Sequence, residues 1–141
     1  MRDMTNDEIV EFIKTWTWGT LIGVEKDKPY AVELSYGTDG KYIYCGSKPG
    51  GRMAQCIINN SNAVFKICEC GWDYASYKAV IIEGTAERLT EHEDILRSVR
   101  YIAKQRKINE HAFDNIAQHV TDSPESNSIR IEIKNMGGVL A

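Results

Sequence analysis

Residues 18–47 read WGTLIGVEKDKPYAVELSYGTDGKYIYCGS. WGTLIGVE (18–25) is a β-rich run, and KDKP turns the chain after it. PYAVELSYG (29–37) alternates apolar and polar residues with the period of a strand. TDGK (38–41) is a hairpin turn whose Asp-Gly pair supplies positive φ at little cost, and KYIYCGS (41–47) is a third strand. No helix separates these strands, so they pair antiparallel and a doubly wound α/β sheet is not expected.

The flanks extend this pattern. Thr5 and Glu8 have capping-box spacing, and Ile9, Phe12, Ile13 and Trp16 then recur at helical spacing, which predicts a helix over 6–16. RMAQCIINN (52–60) reads as a brief helix and NAVFKICEC (62–70) as a fourth strand. YKAVIIEGTAERL (77–89) is a long fifth strand; Gly84 inside it marks a bulge or a close backbone approach. Thr90 and Glu93 have the spacing of a second capping box, and Ile95, Leu96, Val99 and Ile102 carry a helix to about 106. EHAFDNIAQHV (110–120) is a further short helix, TDSPESN a loop, and SIRIEIKNM (128–136) a last strand. The expected architecture is mainly β with added helices, an antiparallel barrel in one domain spanning 1–141.

The chain has 141 residues and a net charge of −3, which argues against nucleic acid as its main partner. No apolar run reaches the roughly 18 residues of a membrane span, and the acidic, amphipathic start is unlike a signal peptide, so no membrane association and a cytoplasmic location are expected. Cys45, Cys56, Cys68 and Cys70 lack metal-ligand spacing, no metal is expected, and all four read as buried small hydrophobes. Arg97, Arg100, Lys104, Arg106 and Lys107 read as a solvated helix face.

YCGSKPGGRMAQ (44–55) carries the candidate chemistry. Gly46, Gly50 and Gly51 let the backbone approach a ligand, Pro49 stiffens the loop, Ser47 offers a hydroxyl, and Lys48 and Arg52 offer cations. A helix starting near Gly51 would add free N–H groups. The spacing matches neither a Walker loop nor a dinucleotide fingerprint. Taken alone, the segment is either a strand-to-helix turn or a phosphate cradle.

The order of EIVEFI, WGTLIGV, PYAVELSYGTDGKYIYCGS, GGRMAQCIINNSNAVF, YKAVIIEGTAERL and SIRIEIKNM resembles the pyridoxamine-phosphate-oxidase-like, FMN-binding split barrels, including their nitroimidazole-reductase-like branch. The resemblance covers nearly the whole chain. It implies a six-stranded antiparallel split barrel, a homodimer, and FMN at the subunit interface. It also implies that the backbone of Tyr30, Ala31, Val32, Glu33 and Leu34 lies along the flavin ring, and that Tyr44, Cys45, Gly46, Ser47 and Lys48 hold the ribityl phosphate. The family's basic pair falls on Arg52 and Met53, so one cation is missing, with Lys48 the candidate replacement.

The same resemblance implies that the partner subunit contributes residues such as Trp72, Tyr74, Tyr77 and Lys78. Lys78 is the candidate to favour the negative charge of reduced flavin; its alternative is a solvated strand lysine. The aromatics wall the ring or anchor a dimer interface. Trp16 and Trp18 either pack or close one end of the site. Cys45 stands where the nitroimidazole-reductase-like branch carries a histidine, and is either a small packing residue or a redox-active thiol. The implied activity is flavin-mediated electron or hydride transfer to a small molecule, with NAD(P)H as candidate donor. The alternative is a non-catalytic flavin- or haem-binding carrier or sensor.

Overall fold

The computed structural model describes residues 1–73 and 75–141. Its elements in chain order are β1 (Arg2–Asp3), α1 (Asn6–Thr15), β2 (Trp18–Glu25), β3 (Lys28–Thr38), β4 (Tyr42–Ser47), α2 (Arg52–Asn59), β5 (Asn62–Cys70), β6 (Tyr77–Leu89), α3 (His92–Gln105), α4 (Asp114–Asp122) and β7 (Asn127–Leu140). Every strand pair is antiparallel, in the order β1-β7-β4-β3-β2-β5-β6. A further β6–β7 pairing closes β2 to β7 into a six-stranded barrel, as expected.

Local chemistry explains most boundaries. At the start of α1, Thr5 Oγ1 accepts from the Glu8 amide while the Thr5 amide donates to Glu8 Oε1. The β2–β3 hairpin turns on Lys26 and Asp27, both at positive φ, without a glycine. In the β3–β4 turn Gly40 takes the positive φ of 88°, and Asp39 Oδ1 accepts from the amides of Lys41 and Tyr42. Gly84 serves both roles expected of it. The β6–β7 register shifts between Glu83 and Gly84, and a Cβ there would strike the Glu132 carbonyl oxygen.

Four expectations need correction. The last strand runs to Leu140 rather than 136, because its second half pairs with the first half of β6. The late helix begins at Asp114, after turns over residues 110–113. The second capping box does not form: α3 is capped at Glu91, with no side-chain cap bond. Cys70 is exposed and Cys68 only half-buried, since the alternation of β5 turns Ala63, Phe65 and Ile67 inward and leaves Cys68 and Cys70 on the outer face.

The barrel interior holds the main core, including Leu21, Ile43, Phe65, Ile67, Ile82 and Ile131. Both ends are plugged from sequence-local helices. Ile9, Phe12 and Ile13 of α1 join the core on one side, and Met53, Cys56 and Ile57 of α2 on the other. Gly23 allows the second plug: a Cβ there would lie 3.1 Å from both Cys56 Cβ and Met53 Sδ. α3 and α4 pack outside, around a small cluster of Leu89, Ile95 and Ala117. The Tyr101 ring of α3 stacks on Tyr44 at 5.4 Å. Gln105 at the end of α3 donates to the carbonyls of Ile13 and Trp16, tying the outer helix to the α1 plug.

Candidate functional site

The barrel is split along β3. β3 pairs with β2 from Lys28 to Ser35, but with β4 only from Tyr36 to Thr38. β4 instead pairs with β7 along its entire length, Tyr42 to Ser47. Beyond Cys45 it therefore departs from β3. The second edge of Tyr30–Leu34 is left without a strand partner among the described residues. An unpaired edge presents a row of N–H and C=O groups ready to bond another molecule. These five residues are the ones expected to lie along a flavin ring.

The glycine-rich loop stands beside this opening. Its turn is held by the backbone: the Gly51 amide donates to the Lys48 carbonyl, and the Gly50 amide to that of Glu125. Gly50 takes φ +64°, a conformation that disfavours a side chain. Gly51 caps α2 without any side-chain bond, and the first turn of α2 carries no acid, so its leading N–H groups suit an anion. Lys48 is exposed and forms no ion pair among the described residues.

Arg52 links loop and edge, because its guanidinium lies 4.6 Å from the centre of the Tyr30 ring. Its only carboxylate neighbour among the described residues is Glu25, with Nε 3.8 Å from Oε2. A contact that loose and exposed contributes little.

Other members of the expected set point elsewhere. Cys45 is buried inside the barrel, where burial pushes its thiol up to about 12. It carries no thiolate near neutral pH and supplies neither a base nor a ready nucleophile. Met53 is also buried in the core. Tyr44 is buried under Tyr101, and its hydroxyl donates to Asp39. In β3, Tyr30, Val32 and Leu34 pack their side chains on the core while Ala31 and Glu33 face outward. Gly46, Ser47, Lys48 and Arg52 remain as the accessible loop set.

Trp72, Tyr77 and Lys78 lie far from the loop of their own chain. Lys78 pairs with Leu140 at the end of β7, whereas Ser47 pairs with Asn127 at its start. Trp72 is 93% exposed, and Lys78 Nζ lies 5.8 Å over the Phe12 ring. Tyr74 lies outside the described residues. Trp16 packs against the core, while Trp18 is 53% exposed. Trp18 belongs to a sheet face, spanning β2, β5 and β6, that no helix covers among the described residues and that also exposes Ile81. A cavity of about 420 Å³ lies on this face, lined in part by Lys66, Cys68, Tyr77, Ile81 and Glu83.

Sequence reasoning missed the residues behind the loop. Asn127 Nδ2 donates to Ser47 Oγ, fixing the loop serine from β7. Asn127 and Ser98 line a cavity of about 190 Å³ between the end of β4, α3 and α4. The available signal was the polar run Ser126-Asn127-Ser128, which stands at the head of an alternating strand and is buried.

The pyridoxamine 5'-phosphate oxidase family matches residues 5–139. The chain is similar in structure to an FAD-binding protein of Mesorhizobium loti, with 21% identity, a TM-score of 0.72, and coverage of 99% of this chain and 97% of that one. It is also similar to a Bacteroides thetaiotaomicron protein named for 5-nitroimidazole antibiotic resistance, at 14% identity and TM-score 0.76, covering 99% and 86% of the two chains. An FAD-binding protein of Mycobacterium smegmatis aligns at 13% identity and TM-score 0.68, covering 99% and 98%. These likenesses establish the fold. No curated protein matches. With a split barrel closed by β6 and β7 and a family match over nearly its full length, the chain belongs to the pyridoxamine 5'-phosphate oxidase family.

Proposed function

We propose that this protein binds FMN as a homodimer and acts as an oxidoreductase on a small molecule. The observation that carries this reading is the unpaired edge of Tyr30–Leu34 beside a glycine-rich loop with two accessible cations, Lys48 and Arg52. The edge suits the hydrogen-bonding rim of a flat ring. The loop and the uncapped start of α2 suit a phosphate. Flavin, when bound, supplies the electron or hydride transfer.

The chain's own residues bind and orient. Backbone groups of Tyr30–Leu34 would hold the ring. Gly46, Ser47, Lys48 and Arg52 would hold the phosphate, with Asn127 keeping Ser47 in place. Cys45 packs beneath this site as a neutral thiol and takes no proton. Trp72, Tyr77 and Lys78 would serve the site of a second copy, brought there by the uncovered sheet face. Exposed Trp18 and Ile81 on that face suit an interface, where aromatic side chains are enriched.

The test is an absorption spectrum of the purified protein, followed by mass identification of what denaturation releases. Bands of oxidised flavin and release of FMN support the reading. FAD, as in the names of two structural relatives, would change the cofactor, and a Soret band would replace flavin by haem. A colourless protein that takes up no added FMN would refute the proposal. Oxidation of NAD(P)H by the FMN-loaded protein would separate an enzyme from a carrier.

A further inference from the structure

We propose that the cavity between β4, α3 and α4 binds a neutral single-ring molecule carrying a carboxamide. Its size sets the ring. The cavity holds about 190 Å³. An apolar cavity of roughly 150 Å³ accommodates benzene, so one substituted ring fits and a nucleotide does not. Val99, Ile102 and Val120 supply apolar walls, and Ile116, half exposed, lies at the rim.

Two buried polar atoms set the substituent. Ser98 is 1% exposed and Asn127 is 3% exposed, and both line the cavity. Ser98 Oγ and Asn127 Oδ1 have no hydrogen-bond partner among the described residues. Buried polar groups are nearly always paired, so this pair of orphans calls for a ligand group. With Nδ2 donating to Ser47 Oγ, the Asn127 oxygen needs an N–H donor; with the amide turned, that oxygen would accept from the Ser47 hydroxyl and Nδ2 would need a carbonyl. The Ser98 hydroxyl can donate to a carbonyl or accept from an N–H. A carboxamide offers both at adjacent atoms. Among the described residues no charged side chain lines the cavity, so an ionised ligand would be buried without compensation.

The inference does not rest on the flavin reading, although the cavity shares Cys45, Gly46 and Ser47 with the loop. It is tested by calorimetric titration of the purified protein with benzamide, and with toluene as the ring without the amide. Benzamide is expected to bind one per chain and more tightly than toluene. Ser98→Ala should weaken it about fivefold to tenfold, the worth of one neutral hydrogen bond. Ile116→Trp should block it, with the fold verified by circular dichroism.

Absence of benzamide binding at millimolar concentration overturns the proposal. So does equal affinity for toluene, or undiminished binding in Ile116→Trp. Loss of benzamide binding at saturating FMN would assign the cavity to the cofactor instead. A crystal soaked in benzamide that shows only waters on Ser98 and Asn127 would also refute it.

Discussion

Ser47 and Lys78 sit at opposite ends of β7, Ser47 paired with Asn127 at its start and Lys78 with Leu140 at its finish. At about 3.3 Å per residue, the strand holds them roughly 40 Å apart along its path. Barrel closure also places β3 and β6 on opposite walls, with β2 and β5 between them on one side and β4 and β7 on the other. One flavin touching both the loop and Lys78 must therefore lie between two chains. Ile81, 41% exposed on the uncovered face, gives a direct test. Ile81→Lys would set a second ammonium directly opposite Lys66 in the β5–β6 ladder, within the proposed interface, so light scattering should find a monomer. Flavin affinity should fall at least about tenfold, because an unpaired buried charge costs several kcal/mol. A monomer with full affinity would show that the loop and strand edge suffice within one chain.

Arg52→Ala is expected to weaken FMN binding by about 1.5–3 kcal/mol, the worth of a charge-assisted hydrogen bond. The variant should keep its melting temperature, because the contact of Arg52 with Glu25 is loose and solvent-exposed. Fluorescence titration paired with a thermal melt reads both effects. Unchanged affinity would remove Arg52 from the phosphate site. Lys48→Ala tests the second cation in the same assay and should act in the same direction.

Cys45 makes two linked predictions. A thiol reagent should modify exposed Cys70 first and reach Cys45 only on unfolding. Burial pushes the folded thiol up to about 12, while an unfolded thiol titrates near about 8.5. The folded pKa is the higher one, so this group's contribution to stability is fully present below about 8.5. It is lost as pH rises from there toward 12. Urea denaturation of wild type and Cys45→Ala across that window should show a shallower alkaline decline in the variant. Parallel declines would mean that other groups govern it.

The barrel was legible in the sequence because its signals are local. Period-two alternation in 29–37, the Asp-Gly turn at 39–40 and the glycine at 84 each carry their meaning within a few residues. The open edge of Tyr30–Leu34 was not legible from the residues alone. It arises because β4 leaves β3 for β7, which begins 80 residues after Ser47 in sequence. The sequence set Met53 beside Arg52 at the head of a helix but could not say which way it points; helical rotation turns it into the core. Ser98 and Asn127 carry no motif. Only tertiary packing brings them to one cavity and deprives both of water.

β6 and β7 approach closely at Gly84, and substitution there tests the closure of the barrel. An alanine Cβ would land on the Glu132 carbonyl oxygen and 2.8 Å from Ile131 Cγ2. Backbone cannot yield as a side-chain tip can, so the two strands would have to separate at the bulge between Glu83 and Gly84. The expected cost is about 1–3 kcal/mol, the usual range for overpacking a tight site. It should appear as a lower urea midpoint with an unchanged slope, since the surface exposed on unfolding is the same. The Tyr30–Leu34 edge lies across the barrel from β6, and Ser47 pairs with Asn127 at the far start of β7 from Ile131, so FMN affinity of the folded fraction should hold. An unchanged midpoint would mean that β6 and β7 can part at this point without loss, and that other pairings carry the closure.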